Sequence, residues 1–124
     1  VGDVQNVPPI TDLNTPVYRR ASTDRYLLVA DDPTLIFEAQ TMGATLAAAD
    51  IGLNAEVDVT AGSTSTGASG MAVDLSTKAA TATLPLKIVG FPYRPDNAIG
   101  DAYTNVYVRI NNHQLNSGTG TAGV

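Results

Sequence analysis

His113 is the one histidine of this chain, and it stands in "NNHQL" just after a run that reads as a strand. To act as a general base it would need a nucleophile or a carboxylate held against it. No pairing signature of that kind accompanies it, so a structural role is expected, capping or packing the strand end. Asp31 and Asp32 in "ADDPT" offer oxygens to calcium, yet the spaced ligands and turn glycine of a helix-loop-helix calcium site are missing. They read as a turn. Asp58 and Asp74 flank a small-residue loop and would, facing each other across a hairpin, form the carboxylate pair that glycosidases use. Two solvent-facing strand residues is the plainer reading. Gly62, Gly67 and Gly70 do not make a phosphate loop, because no lysine follows in the right place and no helix opens behind them. Scattered carboxylates and one histidine give no triad, metal set or acid pair, so neither an enzyme nor a cofactor or metal is expected.

Composition narrows the field from another side. The 124 residues are 44% apolar, enough for one domain with a single core. There is no cysteine, so neither a disulfide framework nor a thiolate metal site is available. Seven Lys and Arg against twelve Asp and Glu leave a net charge of −5, which argues against nucleic acid or an anionic membrane surface as partner. No apolar run approaches the roughly 20 residues that span a bilayer. The opening "VGDVQNVPPITDL" lacks the basic and then apolar order of a signal peptide, while a start at Val1 leaves open a longer N-terminus.

The elements follow from periodicity. Residues 1–20, with Pro8, Pro9 and Pro16 among Asp, Asn and Thr, resist helix and read as an extended arm, a strap. A domain over 21–115 then carries apolar segments of strand length: "YLLVA" at 26–30, "LIFEAQ" at 35–40, "AEVDV" at 55–59, "MAVDL" at 71–75, "ATLPLKIVGF" at 82–91 and "NVYVRI" at 105–110. Val106, Val108 and Ile110 alternate with Tyr107 and Arg109, and Leu84, Leu86 and Ile88 with Pro85 and Lys87, the period of half-buried strands. Pro85 marks an edge or a bulge, since it cannot donate to a ladder. "ADDPT" is a tight turn and "AGSTSTGASG" at 61–70 a flexible connector. "TLAAADIG" at 45–52 allows about two helical turns at most. The pattern predicts an all-β, single-domain antiparallel barrel or sandwich of six to eight strands, with 116–124, "NSGTGTAGV", as a flexible Gly/Ser/Thr tail.

The loop "GFPYRPDNAIGDAYTN" at 90–105 joins the last two strands and carries Phe91, Tyr93, Arg94, Ile99 and Tyr103. Aromatics and arginine dominate interface hot spots, and the prolines lower the ordering entropy lost on contact. The same side chains would equally serve to roof the open end of a barrel. Arg19 and Arg20, with Arg25, form the one local positive patch, beside the arm, able to dock on an acidic neighbour.

The run from "ASGMAVDL" through "LPLKIVGFPYRPDNAIGDAYTNVYVRINNHQL" to the C-terminus, together with "YLLVADDPTLIFEAQ" and "LAAADIGLNAEV", resembles a family of small virion structural proteins encoded beside the major capsid protein of tailed bacteriophages, the decoration or cement proteins. The likeness covers roughly residues 25–124, and "RPDNAIG" followed by "INNHQL" is its most specific part. It implies an all-β protein on the outer capsid surface of the virion, a homotrimer or dimer, tying neighbouring major capsid protein subunits together. Arm 1–20, loop 91–103 and the tail are then the expected contacts, with Tyr93, Arg94 and Tyr103 as anchors. The rival class is a carbohydrate-binding or adhesin-like β-sandwich, which commonly presents a Trp or Tyr platform to sugar rings; Trp is absent here.

Overall fold

The computed structural model describes residues 2–5, 22, 26–116 and 118–124. Among them the chain is all-β: β1 (Gly2–Gln5), β2 (Tyr26–Val29), β3 (Phe37–Met42), β4 (Asn54–Asp58), β5 (Ala72–Ala79), β6 (Leu86–Gly90) and β7 (Asn105–Ile110), with one 3₁₀ turn at Ala48–Asp50. No helix among the described residues is long and apolar enough to cross a membrane.

Five strands close a barrel in the order β3-β5-β4-β6-β7, with β7 returning to β3. That is fewer than six to eight, because β2 pairs instead with β1, Gly2 opposite Val29 and Gln5 opposite Tyr26, in a separate two-stranded sheet. The start of the expected arm is thus a paired strand, and residues 6–21 lie outside the described residues. Nor is the barrel antiparallel throughout. The β4–β5 hairpin folds back so that β5 slots between β3 and β4, and it meets β3 in parallel at Thr41–Val73 and Met42–Asp74.

Alternation builds the core. Val106 and Val108 of β7, Val73 and Leu75 of β5, Ile88 of β6 and Ala55 of β4 are buried, and Leu46 joins them from the β3–β4 crossover. Each of the larger ones contributes about 1.5–3 kcal/mol by leaving water. Phe37, Ala39, Leu86 and Phe91 pack against this cluster. Tyr107 faces outward, as its position between two buried valines requires.

Pro85 precedes β6 rather than interrupting it, and its carbonyl accepts the Asn111 N–H at 2.7 Å. The irregularities sit elsewhere, between Asn54 and Glu56 in β4 and between Ile88 and Gly90 in β6, where register must shift for five short strands to curve into closure. The Ala-rich stretch yields one 3₁₀ turn, pinned by buried Asp50, whose Oδ2 accepts the Ala47 N–H at 2.7 Å and the Lys78 ammonium at 2.6 Å. Burial by itself would raise the Asp50 pKa. The Lys78 and Ala47 hydrogen bonds outweigh it and hold the carboxyl below its ordinary value.

The last residues of the expected tail are hydrogen-bonded to the barrel. Asn111 Oδ1 accepts the Thr121 N–H at 3.0 Å, Asn54 Nδ2 donates to the Thr121 carbonyl at 2.8 Å, and Lys87 Nζ donates to the Ala122 carbonyl at 2.7 Å. Gly123 N donates to Ala80 O at 2.9 Å and Val124 N to Gly52 O at 3.2 Å. Residues 120–124 therefore run across the barrel as a strap, because two buried asparagines offer their backbone the partners that small side chains cannot.

Candidate interaction surface

The β6–β7 loop gets its shape from two buried polar side chains. Asn97 donates from Nδ2 to the Pro92 carbonyl at 2.8 Å and to the Asn105 carbonyl at 3.1 Å, while its Oδ1 accepts the Asn105 N–H at 2.6 Å. Thr104 Oγ1 donates to the carbonyls of Ala98 at 3.0 Å and Asp101 at 2.9 Å. The Thr104 carbonyl in turn accepts from both N and Oγ1 of Thr41, and Gly100 N donates to Leu46 O at 3.0 Å. Short polar side chains thus bond backbone across the loop and fasten it to β3 and the crossover. Prolines alone would have left these amides to water.

On that frame the aromatic residues divide. Phe91 is half-buried and roofs the core, and its ring centroid stands 4.5 Å from that of Tyr93 at an interplanar angle of 42°. Tyr93 itself is 89% exposed. Arg94 forms an ion pair with Glu38 of β3, and Glu38 Oε1 also accepts from Asn105 Nδ2 at 2.9 Å. Hydrogen bonds from Arg94 and then Asn105 hold the Glu38 carboxyl below its ordinary pKa. Glu38 stands opposite Tyr107 in the ladder, so the ion pair and Tyr107 share the outer side of β3 and β7. Tyr103 belongs to a different spot, a shallow cleft lined by Met42, Gly43, Ala44, Thr45 and Ala102. It is 65% exposed and sits at φ 61°, a left-handed backbone that a bulky side chain adopts at a cost of about 1 kcal/mol or more. Ile99 is exposed.

Of the residues expected to make contacts, Phe91 and Tyr93 are brought together beside Arg94, Tyr103 lines a separate cleft, Ile99 is exposed, and Arg19 and Arg20 lie outside the described residues. Glu38 and Tyr107 belong to the surface, and Asn97 supports it from beneath, without having been singled out. Tyr107 could have been read from its outward phase in "NVYVRI", whereas Glu38 meets Arg94 across 56 residues and leaves no local signal.

The other candidates resolve into turns and strands. Asp58 and Asp74 do not oppose each other: Asp58 stands opposite Ala72, and Asp74 opposite Glu56, because the register runs Val57 to Val73. Asp74 Oδ1 is engaged by Ser76, accepting its N–H at 2.9 Å and its hydroxyl at 2.6 Å. Asp32 Oδ1 accepts the N–H and the hydroxyl of Thr34 at 2.8 and 2.6 Å, closing a side-chain turn. The Thr34 hydroxyl and then its N–H lower the Asp32 pKa. Gly67 N donates to Ser63 O at 2.8 Å inside an exposed turn. His113 Nδ1 accepts the Leu115 N–H at 3.1 Å, so the imidazole caps the turn that follows β7. Among the described residues no three His, Cys, Asp or Glu side chains converge as metal ligands.

Comparison with protein-family models, with curated proteins and with solved structures found no match.

Proposed function

We propose that this chain is a structural virion protein that decorates the outer surface of a tailed-phage capsid and cements neighbouring major capsid protein subunits, acting as a homotrimer or dimer. The observation that carries the reading is Tyr93, almost wholly exposed on a loop whose backbone is locked by Asn97. An aromatic ring held out on a rigid support loses little entropy on docking, which is how a small contact becomes an anchor. Tyr103, kept in a strained backbone by the same loop, presents a second ring. The resemblance in sequence names the lattice. Many modest contacts repeated over a shell act together, so none need be strong alone. In this reading the arm 1–20, apart from its paired start at Gly2–Gln5, is a strap reaching across subunit boundaries, with Arg19 and Arg20 on an acidic neighbour, and the role calls for no catalysis, cofactor, nucleic acid or membrane.

A second reading rests on the same ring: an exposed tyrosine backed by Phe91 is also a platform for a sugar face. Cosedimentation with undecorated shells of the source phage separates the two. The full chain is expected to load, Tyr93→Ala to load at least about tenfold more weakly, the equivalent of 1.4 kcal/mol, and a chain lacking residues 1–16 to show the arm's share. Absence of the full chain from shells would sink the capsid reading, and glycan-array binding lost in Tyr93→Ala would install the sugar one.

A further inference from the structure

The C-terminal strap is held in an unusual way. All five residues from Gly120 to Val124 are small or only moderately sized, and Thr121, Ala122 and Val124 are exposed, Val124 at 97%. Nothing apolar anchors it. Its attachment is made of main-chain hydrogen bonds to Asn54, Asn111, Lys87, Ala80 and Gly52, with one side-chain bond from the Thr121 hydroxyl to Asn111 Oδ1 at 3.1 Å. The receiving side, in contrast, is built: Asn54 is fully buried and Asn111 is 4% exposed, and both direct their amides at Thr121. It is also selective. A Cβ on Gly120 would overlap the Ala82 carbonyl, and one on Gly123 would lie 3.0 Å from the Cα atoms of both Ala80 and Leu53.

A segment bound by main-chain hydrogen bonds and one side-chain hydroxyl, with no apolar anchor, comes away without unfolding a core, and it leaves behind a groove whose asparagines water can satisfy. The connection back to β7 is a turn, Asn116 N and Gly118 N both donating to His113 O, at 3.0 and 3.1 Å. We propose that this groove is an exchange site: it takes the C-terminal strand, residues 119–124, of a second copy of the chain, linking the two by reciprocal strand swapping. The occupant is specified by what is seated there already, since the two glycine contacts exclude a strand bearing side chains at those positions. Such exchange follows the logic of domain swapping, in which each interface already exists within one copy and only the connecting turn must straighten. It stands independently of the capsid reading.

The test uses the full chain. A fluorescently labelled peptide of residues 118–124, GTGTAGV, is expected to give a saturable rise in anisotropy as it competes with the resident strap, and the same peptide carrying Gly123→Val to bind at least about tenfold more weakly. No saturable binding, or equal binding by both peptides, overturns the proposal. In a second arm, Gln114→Pro, Leu115→Pro and Asn116→Pro together stiffen the turn and remove three N–H groups, those of Leu115 and Asn116 being the ones that bond His113. Light scattering is expected to show a species twice the mass of the unsubstituted protein, growing with concentration. An unchanged mass from the folded variant at all concentrations counts against exchange, and should the variant fail to fold, the two peptides decide the matter.

Discussion

Two loops of this barrel have nearly opposite constructions. The β4–β5 connection, 59–71, is made of small residues, is exposed along almost its whole length, and is tied only to itself, through Ser63 N to Ala68 O at 2.9 Å and Thr66 N to Ser63 Oγ at 3.2 Å. Val59 and Met71 at its base, 69% and 55% exposed, continue the inward phase of Val57 and Val73 past the end of the ladder and meet no core. The β6–β7 loop, 91–104, sends Asn97 and Thr104 inside and Tyr93 and Tyr103 out. The difference teaches where loop order comes from. Both are long and polar, but only one spends buried amide and hydroxyl groups on its own backbone, and that one displays aromatic rings.

Breaking the buried amide is the strongest blow to the contrast. Asn97→Ala removes three hydrogen bonds and leaves the Asn105 N–H and two carbonyls to find water, an expected loss of about 2–3 kcal/mol and a fall in Tm of roughly 10 °C. Chemical denaturation measures it, and a change under about 0.5 kcal/mol would mean that the prolines, not Asn97, hold the loop. A smaller effect is expected at the crossover against which the β6–β7 loop leans. Because the folded pKa of Asp50 is lowered, its contribution is fully present above the ordinary aspartate pKa near 3.9 and fades as pH falls through the lower folded value. Asp50→Asn is therefore expected to cost about 1 kcal/mol at neutral pH, kept modest because Lys78 remains partly in water, and progressively less below about pH 4. A stability gap between the two proteins that stayed constant to pH 2 would remove the ion pair from the account.

Much of this was legible in the residues. The alternation of "NVYVRI" marks β7 with its true bounds, and Asp32 declares its turn because an Asx side chain beside proline bonds the backbone two residues on. Local rules reach as far as local causes do. β5 runs on to Ala79 through "STKA", which has no alternation, since what keeps it extended is its pairing near Asn54. The parallel seam of β3 with β5 depends on which strand slots between which, a choice no single segment encodes. The tail has the composition of a linker, and its order comes from Asn54, 67 residues away in sequence from Thr121. At the candidate surface, residue types pointed to Tyr93 and Tyr103, while the Arg94–Glu38 pair and the locking role of Asn97 needed the fold.

The least perturbing change sharpens the comparison from its other side. Thr64 and Ser65 form the tip of the 59–71 loop, both exposed. Deleting the pair shortens a closed loop by a fifth of its 61–70 span, and since closure entropy varies only with the logarithm of length, the expected change in stability is about 0.2 kcal/mol. Denaturation midpoints should coincide within error, and loading onto shells should match that of the full chain, because nothing in this loop offers a docked ring. Were the deletion instead to abolish loading while the barrel stayed as stable as before, the contact would belong to the small-residue loop with Val59 and Met71 at its foot, and the rigid aromatic loop would be an ornament of folding rather than the anchor.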